Sequence, residues 1–188
     1  PTQWKLVSNV SNFWKQSEQT TSFQSKVTVK PLYEIRPKEF ATIFNREIKP
    51  MKINQHHKGR HNLVIPLFDL HFGIMTFDTM KQHLIEIEEI IRHGYKHIVI
   101  EQGGDLLHSD FINKTQTVKG TQLDHVNMVQ ALTDAKRFYD ELIRCALQNA
   151  LHVSVYSVGG NHDEDLDYMF VDALADRYPQ VDVHNTNE

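Results

Sequence analysis

A single cysteine, Cys145, stands in the 188 residues, so no internal disulfide can form. It falls on the apolar side of a predicted helix, where a small buried residue is expected rather than a catalytic thiol. Long apolar runs are missing as well. The longest, 62–68 and 152–158, fall well short of the roughly 20 residues needed to span a bilayer, and no membrane segment is expected. The first ten residues lack the basic start, apolar middle and small-residue cleavage site of a secretory signal, which makes a cytoplasmic location the expectation. Neither an internal repeat nor a low-complexity tract is present. Excess charge of one sign is also lacking. With 20 Lys and Arg against 24 Asp and Glu, the formal charge of -4 gives no global attraction to nucleic acid. A pair of bound divalent metals would reverse the sign locally at a carboxylate-rich site, so DNA is not excluded as a substrate.

A hydrophobic share of 40% and a charged share of 23% place the chain among ordinary globular domains, with room for a small appendage. Residues 1–61 carry scattered aromatics (Trp4, Phe13, Trp14, Phe23, Tyr33, Phe40, Phe44) without a long period. They read as an irregular leader with short strands, closed by a basic, polar linker over 49–61. His56, His57 and His61 in that linker read as solvated side chains rather than ligands. From residue 62 to residue 188 the pattern alternates strand and helix, the mark of an α/β domain with parallel strands. Predicted strands lie at 62–68 (NLVIPLF, with Pro66 as a blemish), 97–101 (HIVIE) and 152–158 (HVSVYSV), and a fourth begins at 181–184. The spacing of Met80, Leu84, Ile87 and Ile91 predicts a helix over 76–93, with Thr76 or Asp78 able to cap it and Gly94 to stop it. Further helices are predicted over 123–150 and 166–178.

Each of the first three strands runs into side chains that bind metals, and in open α/β sheets ligand sites lie outside the carboxyl ends of the strands. Asp69 and His71 follow the first strand, where alternate residues can point the same way. Gly103, Gly104 and Asp105 follow the second, the glycines allowing a sharp exit. Gly159, Gly160, Asn161, His162 and Asp163 follow the third. Taken singly, Asp69, Asp105 and Asn161 with Asp163 also read as turn and cap residues. Their joint order favours a common metal site. The run Asp163, Glu164, Asp165, Asp167 reads as a solvated helix start, favoured by the helix dipole.

In this order the three clusters resemble the calcineurin-like metallophosphoesterase signature of Asp-x-His, Gly-Asp and Gly-Asn-His-(Asp/Glu). The resemblance implies a β-sandwich core flanked by helices and a two-metal site. In it, Asp69 and His71 would bind the first ion, Asp105 would bridge both and Asn161 would bind the second. His162 would act at the leaving oxygen, with Asp163 orienting it. Mixed oxygen and imidazole ligands suit manganese, iron or zinc, with manganese the expected ion for activity. Two such cations about 3.5 to 4 Å apart can clamp an in-line displacement, which explains a bridging carboxylate. Gly104 to His108 (GDLLH) resembles the Gly-Asp-Leu-Phe-His variant of the DNA repair nuclease branch. There His108 would contact the nucleic-acid backbone or the metal shell, although it also reads as a loop histidine. The polar segment after it, with Asn113, Lys114, Thr115, Thr117, Lys119, Gly120 and Thr121, offers hydroxyls and two positive charges for phosphates, also reads simply as a flexible loop, and is similar to a loop in phage-encoded members.

The family completes its site with a later histidine and a Gly-His-x-His motif, and neither is identifiable between residues 163 and 188. His184, the one histidine there, reads as a strand end. The resulting expectation is the N-terminal part of a metallophosphoesterase domain, incomplete at its C-terminus, which binds metal weakly and turns over slowly. The expected function is that of a phosphodiesterase or nuclease. A phosphomonoesterase acting on protein or nucleotide, and a noncatalytic scaffold, are the alternatives.

Overall fold

Thr76 starts the first helix by a reciprocal cap: its hydroxyl accepts the Thr79 N–H at 3.3 Å, and the Thr79 hydroxyl accepts the Thr76 N–H at 2.9 Å. The helix that follows shows the same close tie between sequence pattern and element that holds through residues 62–185. A computed structural model describes residues 4–17, 20–31, 48–55 and 59–185, so His56 and His57 lie outside the described residues. It divides into two compact units, residues 1–46 and 47–188.

In the first unit, β1 (Trp4–Ser17) pairs antiparallel with β2 (Thr20–Pro31). These strands of 14 and 12 residues replace the short strands expected in the leader. Their period is weak in the sequence because Phe13, Trp14, Phe23, Val27 and Val29 are all exposed, so burial imposes no alternation on these strands.

The second unit is mixed α/β. Its elements run β3 (Asn62–Leu67), α1 (Phe77–Ile91), β4 (Tyr95–Gln102), α2 (Met128–Asn149), β5 (Ala150–Ser157), α3 (Glu164–Arg177) and β6 (Val181–Asn185). All four strands are parallel, in the order β3-β4-β5-β6. Register aligns Leu63, Ile98, Val153 and Val181 in one row and Ile65, Ile100, Val155 and Val183 in the next. These rows face Leu84, Phe138, Leu142, Val171 and the other buried apolar side chains of the helices in one continuous core. The alternate rows carry exposed Val64, Pro66, Tyr156 and Asp182. Pro66 is tolerated because β3 is the edge strand, where a missing N–H need not break the ladder.

Two expectations need correction. The described residues of this unit hold one sheet with three helices, and a second β layer of a sandwich is not among them. The stretch expected as a linker partly belongs to the domain: Met51 and Ile53 pack against the core, and the Met51 N–H donates to the Arg177 carbonyl at 2.8 Å. Alternate apolar side chains in a polar segment are enough to dock it. No described helix is long and apolar enough to cross a membrane. The core is tested at Phe138, fully buried with its ring 5.7 Å from that of Phe72. Phe138→Ala should lower unfolding free energy in urea by about 3 to 5 kcal/mol.

Candidate metal centre

Backbone pairing continues past the ends of β3 and β4 and brings their exits together. The Gly103 N–H donates to Leu67, Asp69 to Gly104, His71 to Asp105 and Phe72 to Leu106, at 2.9, 3.3, 2.9 and 2.8 Å. Three non-glycine residues have positive φ among the described residues: Asp69 (51°), His71 (45°) and Asp105 (51°). Left-handed backbone at such residues costs of order 1 to 3 kcal/mol each and persists where surroundings enforce it, commonly at functional sites. All three are residues singled out from the sequence.

Gly104, at φ 89°, and Gly160 let the exits of β4 and β5 touch backbone to backbone. A Cβ on Gly160 would lie 2.1 Å from Asp105 Oδ1 and 2.2 Å from its nitrogen. The same Oδ1 accepts the His162 N–H at 2.9 Å, so Asp105 ties the third exit to the first two. As a result, Asp69, His71 and Asp105 each offer a ligand atom within 4.8 Å of the others, enough to hold a metal ion. His71 Nε2 stands 3.9 Å from Asp69 Oδ1. Asn161 lies between Gly160 and His162, both against Asp105. It is exposed, and its carbonyl accepts the Val118 N–H at 3.1 Å.

His108, expected at the nucleic-acid backbone or in the metal shell, is buried beside the other imidazoles. Its ring centroid is 5.9 Å from that of His71 and 5.5 Å from that of His162, while His71 and His162 are 4.8 Å apart. Burial and the neighbouring imidazoles hold the His108 pKa below its ordinary value, with Asp124 opposing. His71 Nδ1 and both ring nitrogens of His108 are buried without a hydrogen-bond partner. Such atoms are rare unless something absent satisfies them, and a cation fits this donor set.

The resemblance implies that Asp163 orients His162, but neither of its carboxylate oxygens hydrogen-bonds the His162 ring. Its Oδ2 accepts the Leu107 N–H at 2.5 Å, and His162 Nδ1 stands 3.1 Å from the His108 carbonyl, which orients the ring. The acidic run is only half solvated. Glu164 and Asp165 are exposed, whereas Asp163 and Asp167, one helical turn apart, are fully buried on the face of α3 that carries Val171 and Leu174. Burial, then the Asp167 charge, pushes Asp163 up to about 8, with Asp105 and Asp110 adding to the rise and the Leu107 N–H opposing it. Burial and Asp105 push Asp167 up to about 7 against the Ser157 hydroxyl, 3.1 Å away. Ser157 and Gln102 share the row beneath the site, and the Tyr139 hydroxyl donates to Gln102.

Most hydroxyls of the loop after His108 turn inward, contrary to their expected use on phosphates. Ser109 donates to the carbonyls of Lys114 and Gln116, Thr117 accepts the Thr121 N–H, and Thr115 accepts the Val126 N–H. Lys114 lies over the Phe111 ring, while Lys119 is exposed beside Val118. His184 stacks on Tyr156 at 4.3 Å in an outward row of the sheet, as a strand-end side chain. Family models, curated proteins and solved structures return no match to this chain.

Two outcomes follow from this geometry. Gly160→Ala forces a methyl into Asp105 and should lower stability by about 1 to 3 kcal/mol in urea unfolding, while weakening divalent-metal affinity. In metal-free protein, the raised carboxyls favour folding most below their unfolded value of 3.8, and that contribution falls as pH rises through about 7 and about 8. Asp167→Asn should flatten the decline in urea midpoint across that window relative to the parent chain.

Proposed function

We propose that this chain is a metal-dependent phosphoester hydrolase of the calcineurin-like metallophosphoesterase kind, acting on phosphodiesters, with DNA among its candidate substrates. One observation carries the reading: ligand atoms of Asp69, His71 and Asp105 lie within 4.8 Å of one another at adjacent strand exits, in the residue order of that family's motifs. Asn161 follows Gly160 at the third exit and, on this reading, would bind the second ion of a pair. Bound divalent cations, manganese favoured over iron and zinc, would polarise the phosphoryl oxygens and acidify water.

The remaining work falls to the chain. Asp69, His71 and Asp105 hold charge at a fixed place, their left-handed backbones setting the direction of each side chain. His162 keeps its Nδ1–H on the His108 carbonyl, so that as an imidazolium it would give its second proton, on Nε2, to the leaving oxygen. Asp163 supports the reaction indirectly, by fixing the Leu107 backbone next to His108. Lys119 is the cation of the 109–127 loop available to a substrate phosphate, next to the residue that holds Asn161.

Ratios between variants carry the test. With manganese, the chain should hydrolyse bis-nitrophenyl phosphate faster than nitrophenyl phosphate. The opposite preference would favour a phosphomonoesterase. Asp105→Asn and Asn161→Ala should lose activity together with manganese occupancy. His162→Ala should lose about a hundredfold or more while keeping the metal. Unchanged hydrolysis in Asp105→Asn would remove the basis of the assignment.

A further inference from the structure

His71, His108 and His162 also converge, each with a ring nitrogen within 4.8 Å of the others. His108 is 5% exposed, and neither of its ring nitrogens has a hydrogen-bond partner. His71 Nδ1 is likewise buried and unpartnered. A backbone carbonyl can only accept, so the 3.1 Å contact to the His108 oxygen places the proton of neutral His162 on Nδ1 and the lone pair on Nε2. An imidazole that donates its other N–H to a carbonyl is oriented as metal-ligating histidines are.

We propose that these three imidazoles form a binding site for one borderline transition-metal ion, of the zinc, cobalt(II) or nickel class. Its ligand set is distinct from the carboxylate-rich set of Asp69 and Asp105. Three neutral nitrogens with no carboxylate or thiolate favour such ions over manganese or magnesium, and three protein ligands leave a fourth position open. The left-handed backbone of His71 holds the one side chain common to both sets. Occupation by zinc takes up the lone pair of His162. A consequence resting on the hydrolase reading is that zinc inhibits manganese-supported turnover.

The test is a cobalt(II) titration of the purified whole chain, followed by visible absorption and X-ray absorption. Expected are one equivalent of cobalt with the intense bands of a four-coordinate ion and a shell dominated by imidazole nitrogen. His108→Ala and His162→Ala should each weaken cobalt binding by about tenfold or more, while Asp69→Asn leaves it unchanged. An oxygen-dominated six-coordinate shell in the parent chain would overturn the proposal. So would cobalt binding that survives both histidine changes but is lost in Asp69→Asn. The parent spectrum needs no variant, so misfolding of His108→Ala cannot obscure the result. Absence of manganese-dependent hydrolysis would count against the hydrolase reading and leave the cobalt result standing.

Discussion

Asp105 holds three loops in one place. Its carbonyl accepts the N–H of His71 from the β3 exit, its Oδ1 accepts the N–H of His162 from the β5 exit, and its own backbone ends the turn that leaves β4. A left-handed conformation makes this possible, and the absence of a side chain on Gly160 leaves the necessary space. The carboxylate is thereby fixed by the protein itself, which would lower the ordering cost of holding a cation there.

Around that residue the protein gathers groups that are poorly satisfied by one another. Burial raises the proton affinity of Asp163 and Asp167, with the Asp167 charge adding to the rise at Asp163 and Asp105 adding at both, and three imidazoles meet with three ring nitrogens unpartnered. Arrangements of this kind weaken a fold unless something offsets them. The hydrophobic rows of β3 to β6 against α1, α2 and α3 supply that offset, keeping the strained exits at one edge of a well-packed layer.

Much of this was legible in the sequence. Branched runs such as HIVIE and the spacing of Leu84 and Ile91 reveal the strands and helices because burial on one face imposes a period. The glycines beside Asp105 and Asn161 marked the exits. What stayed hidden depends on long-range packing. Asp167 looks solvated among neighbouring acids, and only the position of α3 on the core turns it inward. His108 looks like a loop histidine until Phe72 accepts its backbone N–H at 3.0 Å and draws it beneath the site. The hydroxyls of Thr115 and Thr117 look available to a ligand, but they complete the loop's own hydrogen bonds. The β1–β2 hairpin lacks a buried face of its own, so its sequence shows no strong period.

The most direct measurement is anomalous diffraction from crystals of the chain soaked with manganese and, separately, with zinc. The account predicts a strong peak at coordination distance, about 2.0 to 2.2 Å, from the side chains of the Asp69, His71, Asp105 cluster or its adjoining histidines. Peaks confined to other parts of the surface, with those side chains unligated at saturating metal, would contradict it.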